Sequence, residues 1–137
     1  MVALGAGALL IGGSIFLLGA TFTAGAAEAM TNLLAGGRLT PTPPFSPTVE
    51  SELRFYAPFW VTYGGILIWV ARSLAERLRW VPPLAALFFA GGVGRLIAYF
   101  ADGPPHPAFI QLMAIELVLP VVFVGLWWRA TRNGAAG

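Results

Sequence analysis

The stretch VPPLAALFFAGGVGRLIAYFA, residues 81–101, decides the fold, because it is long and apolar enough to cross a membrane as a helix. Its single charged residue is Arg95. Arginine cannot lose its charge by a pKa shift, and a charge at mid-bilayer costs about 2.5 to 3.5 kcal/mol on insertion scales. We therefore expect the protein to supply a partner for Arg95.

The composition is that of an integral membrane protein. Of 137 residues, 58% are hydrophobic and 10% are charged, and the mean hydropathy of +0.78 is too high for a soluble globule. All eight basic residues are arginines, and Ala, Gly and Pro are abundant, which is typical of a GC-rich bacterial genome. We expect a multi-pass protein of the bacterial inner (cytoplasmic) membrane.

Composition also excludes several kinds of site. Without cysteine the chain can form no disulfide, thiolate nucleophile or iron–sulfur centre, and a single histidine rules out a multi-histidine metal site. No metal or cofactor is therefore predicted. The net charge of +2 comes from arginines at segment ends rather than from a basic stripe, so nucleic acid is not an expected partner.

Four stretches approach or exceed the roughly 20 apolar residues that a membrane-spanning helix needs. The fold predicted is an all-α membrane protein, a four-transmembrane-helix bundle that forms one domain over residues 1–137. A Pro-rich loop at 36–51 follows the first span, and its prolines favour extended or turn conformations over helix. The predicted spans are residues 2–27, 55–71, 81–101 and 108–128.

The distribution of arginine predicts the orientation, because basic residues are retained on the cytoplasmic side. Arg72, Arg77 and Arg79 lie between the second and third spans, and Arg129 and Arg132 follow the fourth. These two segments share one side only if both termini are cytoplasmic. The predicted topology is N-in/C-in, with the loop at 36–51 in the periplasm.

A cleaved signal peptide is the alternative for the first span. The small residues of TFTAGAA, 21–27, follow an apolar run as a cleavage site would. The segment before that run has no Lys or Arg, so a retained first span is the preferred interpretation.

Arg95 and Glu116 are expected to pair. On the predicted topology they lie roughly 9 Å and 12 Å below the outer boundary, on neighbouring antiparallel helices. Arg95 could instead extend its side chain toward the head groups, but the short carboxylate of Glu116 cannot reach so far. Such a pair could hold two helices together or form part of a site, and the sequence leaves both open.

Glycines recur where helices are expected to pack. Gly5, Gly12, Gly19 and Ala26 repeat every seven residues along the first span and predict a packing seam. The GGVG sequence before Arg95 lies within a span and lacks the strand-to-helix context of a phosphate loop. It is therefore interpreted as another place of close helix approach.

Two segments, ELRFYAPFWVTYGG (52–65) and FFAGGVGRLIAYFADGPPHPAFIQLMAIELVLP (88–120), resemble a bacterial family of small four-span membrane proteins known as domain of unknown function 4345. The resemblance implies the architecture and a set of recurrent polar positions, with no established activity. Those positions fall on Glu52, Arg54, Tyr56, Tyr63, Arg95, His106 and Glu116.

The predicted topology gathers most of these polar residues, with Tyr99, in the outer half of the membrane. The candidate ligand-binding or buried polar cluster comprises Glu52, Arg54, Tyr56, Tyr63, Arg95, Tyr99, His106 and Glu116. His106, in PPHP, could act as a base or ligate a metal, but the flanking prolines favour a rigid turn. Glu50 and Glu52 are expected to cap the helix that they begin.

Two functions from different classes remain open. The first is a small noncatalytic accessory or scaffold subunit that associates with other membrane-protein subunits through Gly-rich helix faces. The alternative is a binder, or an isomerase-type enzyme, for a lipid- or quinone-like ligand in the pocket around Arg95 and Glu116. No catalytic residue is assigned, and the absence of a continuous polar path argues against transport.

Overall fold

The structure is a computed structural model that describes residues 1–37 and 39–134. Within these residues the chain forms helices, turns and loops and no strand, so the all-α prediction is confirmed. Arg38, in the predicted periplasmic loop, lies outside the described residues. The helices are α1 Val2–Leu18, α2 Ala20–Leu34, α3 Pro47–Arg72, α4 Leu74–Arg77, α5 Val81–Asp102 and α6 Pro107–Gly134, with a 3-10 turn at Leu78–Trp80.

The chain divides into two compact units, Met1–Arg72 and Ser73–Gly137. In the second unit, the helical segments Leu74–Asp102 and Pro107–Arg132 are each long and apolar enough to cross a membrane. In the first unit, α1 is apolar but has 17 residues. Within residues 1–37 and 39–134, length and composition thus mark two helical segments as candidate spans.

The first predicted span, residues 2–27, is not one helix. Gly19 has φ 103° and ψ 159°, and it separates α1 from α2. A positive φ of this kind is readily adopted only by glycine, which has no Cβ to clash with its own backbone. The prediction of one continuous span was wrong because Gly19 follows Gly5 and Gly12 at seven-residue intervals. This spacing indicated helix packing at Gly19 and not the end of a helix.

The predicted loop at 36–51 also ends earlier than expected, because α3 begins at Pro47. Proline is tolerated in the first turn of a helix, where its missing N–H has no intrahelical partner to lose. Pro41, Pro43 and Pro44 do lie in irregular backbone, as predicted. The error concerns residues 47–51, because Pro47 was expected to disfavour helix and instead begins one.

In the first unit α1 packs antiparallel to α3 along glycines. A Cβ added to Gly5 would lie 2.8 Å from the carbonyl oxygen of Gly64, and one added to Gly12 would lie 3.0 Å from that of Ala57. The predicted seam therefore exists at Gly5 and Gly12. It does not continue through the break at Gly19 to Ala26, which is exposed.

In the second unit α5 and α6 form an antiparallel pair whose buried α5 face includes Leu84, Phe88 and Gly92. A Cβ added to Gly92 would lie 3.0 Å from the Cβ of Glu116. Added Cβ atoms at Gly91 and Gly94 would meet no atom within 4 Å. Of the three glycines before Arg95, Gly92 is thus the one that brings α6 close.

Candidate functional site

Arg95 and Glu116 form the predicted ion pair. The Nε of Arg95 donates to Oε2 of Glu116 at 2.7 Å. Gly92, one turn before Arg95, has no side chain and so admits the backbone of α6 beside it. The Glu116 side chain is 5% exposed, whereas that of Arg95 is 36% exposed. The pair is therefore enclosed at the carboxylate and open at the guanidinium.

Arg95 also lines a groove of about 220 Å³ between α5 and α6, which we call the Arg95 groove. Arg95, Tyr99 and Asp102 lie on one face of α5 at helical spacing, and Phe109 and Met113 face them from α6. The remaining lining residues are Ala98, Gly103 and Pro105. The groove has largely apolar walls, with the charged groups of Arg95 and Asp102 among its lining.

The donors of Arg95 are only partly used by Glu116. A guanidinium carries five N–H groups, and the pair with Glu116 uses the one on Nε. The terminal nitrogens carry the other four. Because Arg95 lines the groove, a molecule there with an oxygen acceptor can form charge-assisted hydrogen bonds with it. Asp102 contributes a carboxylate to the same groove.

His106 forms the start of α6. Its Nδ1 accepts a hydrogen bond from the backbone N–H of Ala108 at 3.2 Å, and its carbonyl accepts one from Phe109 at 2.9 Å. Pro107 occupies the first helical position, where proline is favoured. This geometry supports the turn interpretation, with the imidazole acting as a helix cap.

The chain matches the family described as domain of unknown function (DUF4345) over residues 1–128. It belongs to the DUF4345 family. The predicted resemblance is confirmed, and the match extends from α1 through most of α6. No curated protein and no solved structure matches the chain. The family description names no activity, so function must be argued from the geometry of this DUF4345 chain.

Four residues of the predicted cluster belong to the first unit of the DUF4345 chain. Glu52 and Tyr56 are exposed on α3. Arg54 lies 3.5 Å from the carboxylate of Glu50 and donates to the carbonyl of Phe16 at 3.0 Å. Tyr63 is buried. The Arg95 groove lies in the second unit, so a shared pocket stays a prediction.

Glu50 lies in the first turn of α3, as expected, and also has a role that the sequence did not reveal. Its Oε1 accepts from the N–H of Ala20 at 2.7 Å, and its Oε2 accepts from the N–H of Thr21 at 3.1 Å and from its hydroxyl at 3.2 Å. These N–H groups are the unsatisfied donors of the first turn of α2. Glu50 therefore caps α2, a helix distant in sequence from its own helix α3.

The surroundings of Glu50 stabilise its charged form. Desolvation raises the pKa of this carboxyl, but the hydrogen bonds from Thr21 and Ala20 and the charge of Arg54 together outweigh it, so the net pKa falls below 4.5. A negatively charged carboxylate at the positive end of a helix is also favoured by the helix dipole.

A second set of contacts, which was not predicted from the sequence, holds the Pro-rich loop on α2. Asn32 exchanges two hydrogen bonds with the backbone of Leu39, at 2.9 and 3.2 Å. The carboxylate of Glu28 accepts from the N–H and hydroxyl of Thr42, at 2.9 and 2.5 Å. The hydroxyl of Thr21 accepts from the N–H of Phe45 at 3.1 Å.

The sequence spacing of the residues that form these contacts is a signal from which the contacts could have been predicted. Leu39, Thr42 and Phe45 recur every three residues, which is the period of a polyproline II helix, and the TPTPP sequence favours that conformation. Their partners on α2 are Thr21, Glu28 and Asn32, which are seven and four residues apart. This spacing places the three partners on one helical face.

The cap formed by Glu50 predicts a pH dependence. Because its folded pKa is depressed, its stabilising effect is present above the unfolded value near 4.5 and is lost as the pH falls through the lower folded value. We expect amide hydrogen exchange in the first turn of α2, corrected for intrinsic rates, to accelerate over that range. Glu50→Gln should exchange faster already at neutral pH, with a weaker pH dependence.

Glu52→Gln is the matched control, because Glu52 is an exposed carboxylate two residues along the same helix. Its exchange profile in α2 should follow the wild type. Identical profiles for Glu50→Gln and Glu52→Gln would contradict the assigned cap.

Proposed function

We propose that this protein is a multi-pass protein of the bacterial inner membrane that binds a lipophilic molecule in the Arg95 groove. The observation that carries the proposal is the partly used guanidinium: Nε is engaged by Glu116, and Arg95 also lines a groove with largely apolar walls. Small-molecule sites typically combine apolar lining with a few placed polar groups.

The charges of the groove favour a particular head group. Arg95 and Asp102 contribute one charge of each sign to the groove lining, and Arg95 is already paired with Glu116. An anionic ligand is therefore less suitable than a neutral oxygen acceptor, such as a quinone or ester carbonyl. The volume of about 220 Å³ suits a ring or head group, with Phe109 and Met113 against its apolar part.

Blocking the groove should weaken binding without disturbing the ion pair. We expect Met113→Trp to fill the groove and to weaken the binding of a short-chain benzoquinone by at least about tenfold, equivalent to 1.4 kcal/mol. Isothermal titration calorimetry of the detergent-solubilised protein measures the affinity. Ile115→Trp is the control, because Ile115 is exposed on α6 and does not line the groove. Equal affinities for wild type and both variants would reject the groove as the site.

The membrane part of the proposal comprises four spans with both termini in the cytoplasm. It is supported by the two long apolar helices of the second unit and by the arginines after residues 71 and 128. Reporter fusions after Arg77 and after Arg132 should score cytoplasmic, and one after Thr42 should score periplasmic. A periplasmic signal at Arg77 or Arg132 would contradict this arrangement.

An accessory role remains a second candidate because of the open glycines on α5. Gly91 and Gly94 are exposed, and an added Cβ at either would meet no atom within 4 Å. Membrane helices commonly associate through small residues. A defined membrane-protein partner that co-purifies stoichiometrically with the wild type and is lost in Gly94→Leu would favour this role.

A further inference from the structure

Helix α2 has two chemically different faces. Thr21, Glu28 and Asn32 bind the Pro-rich loop on one side. On the other side Phe22, Met30 and Leu33 are 57%, 66% and 79% exposed. Their spacing of eight and three residues places them along one stripe of the helix, with exposed Ala26 and Ala29 between them. We call this stripe the α2 apolar face.

Within the described residues of the first unit, 1–37 and 39–72, no other segment is positioned to cover this face. Going along α1, Gly5 lies beside Gly64, Gly12 beside Ala57, and Gly19 beside Glu50. By this antiparallel register, only three residues of α3 remain beyond Glu50 before the helix begins at Pro47. Past its first turn, α2 therefore has the loop as its neighbour, and the loop occupies the polar side.

The length of the α1–α3 pair places the start of α2 at the edge of a bilayer. The 17 residues of α1 extend about 26 Å, and in this register they lie beside residues 51–67 of α3. This length is close to the ~30 Å hydrocarbon thickness. Polar contacts gather where the pair ends: Glu50 caps α2, and the hydroxyls of Ser14 and Thr23 lie 2.8 Å apart.

The loop determines which side of α2 faces water. Irregular backbone is not tolerated in lipid, and residues 40–44 are exposed. With the loop on the water side, the α2 apolar face is turned toward the acyl chains. At 15 residues, about 22 Å, and with Glu28 and Asn32 on its polar side, α2 is a poor candidate to cross the bilayer itself.

We propose that α2 lies in the membrane–water interface at the end of the α1–α3 pair, with Phe22, Met30 and Leu33 among the lipid acyl chains and the Pro-rich loop above it in water. Interfacial helices of this type bury their apolar face about 5–10 Å deep. The inference rests on the membrane part of the proposed function and is independent of ligand binding. It shortens the first span to α1.

Depth measurements on single-cysteine variants test the proposal, since the natural chain has no cysteine. The full chain is labelled with a nitroxide at Phe22, Ala26, Met30 or Leu33, and reconstituted into vesicles of phosphatidylethanolamine and phosphatidylglycerol. Leu10, 74% exposed on α1, provides a span reference, and exposed Thr40 provides a water reference. The thermal midpoint of each labelled variant reports whether it is folded.

We expect the four α2 labels to share one shallow depth, with collisions favouring oxygen over a water-soluble nickel chelate. Leu10 should be deeper, and Thr40 should favour the nickel chelate. A depth that changes steadily from Phe22 to Leu33 would overturn the proposal, because α2 would then cross the bilayer. The proposal would also be overturned if the α2 labels lie in water, or are shielded from both reagents, while the Leu10 label is deep. A Leu10 label in water would instead reject the membrane part of the proposed function.

Discussion

Replacing Arg95 with leucine should lower the free energy of unfolding by about 3 to 5 kcal/mol, the loss typical of a buried pair that is left with one partner. The replacement strands the carboxylate of Glu116, which is almost completely enclosed. Glu116→Leu should cost less, about 1 to 3 kcal/mol, because the partly exposed side chain of Arg95 can still reach polar surroundings. The two single variants are therefore expected to be unequal.

The double variant Arg95→Leu/Glu116→Leu should recover much of the loss, since replacing a whole buried pair with apolar residues is often nearly neutral. Thermal or denaturant unfolding in detergent of the wild type and the three variants provides a double-mutant cycle. Arg79→Leu is the control for loss of an exposed arginine in the same unit. Harmless single changes with strictly additive effects would show that the pair contributes nothing to stability.

The same cycle separates a structural from a functional role of the pair. If the double variant is stable but no longer binds a quinone that the wild type binds, the pair belongs to the ligand site. If it is stable and binds with unchanged affinity, the pair only holds α5 against α6. Glu116 and Gly92 are in contact across these helices, so stability is expected to respond in either case.

Gly64→Ala should destabilise the first unit by about 1 to 3 kcal/mol, the usual cost of overpacking a close interface. The added Cβ would lie 2.7 Å from the carbonyl oxygen of Gly5 and 2.9 Å from the nitrogen of Leu9. Both are backbone atoms, so relief requires α1 and α3 to move apart. Gly64→Leu should prevent α1 from packing on α3.

Gly65→Ala is the matched control, because it makes the same change one residue along α3, where an added Cβ meets no atom within 4 Å. It should be neutral or stabilising by up to about 1 kcal/mol, since alanine is the better helix former. Thermal midpoints and protease protection of residues 1–72 measure both variants. Equal changes at Gly64 and Gly65 would refute the packing of α1 on α3 along this seam.

Part of the candidate site was accessible from the sequence. An uncompensated charge in an apolar helix needs a partner, and one carboxylate, Glu116, lay at matching depth on the neighbouring segment. Depth follows from helix rise alone, so Arg95–Glu116 could be predicted without coordinates. The Arg95 groove itself could not, because its volume depends on how Phe109 and Met113 pack against α5.

The first unit shows the opposite case. Gly19 carried the same spacing signal as Gly5 and Gly12, but only its φ of 103° reveals a break. The acidic start of α3 suggested capping of that helix, yet Glu50 accepts from Ala20 and Thr21, about thirty residues away. Local rules assign caps to neighbours in sequence, whereas this cap depends on the antiparallel register of α1 and α3.

The sequence by itself determined the helical class and the Arg95–Glu116 pair, because periodicity, composition and charge in an apolar segment act locally or along one axis. The DUF4345 family was identified from the similarity of the sequence to that family. The tertiary structure alone decided where the first apolar segment breaks, which helix Glu50 caps, and that the Pro-rich loop lies along α2 on Asn32, Glu28 and Thr21. These features satisfy backbone N–H groups left without a partner by a helix start or an irregular loop. Which side chain supplies the acceptor is settled only when distant segments come into contact.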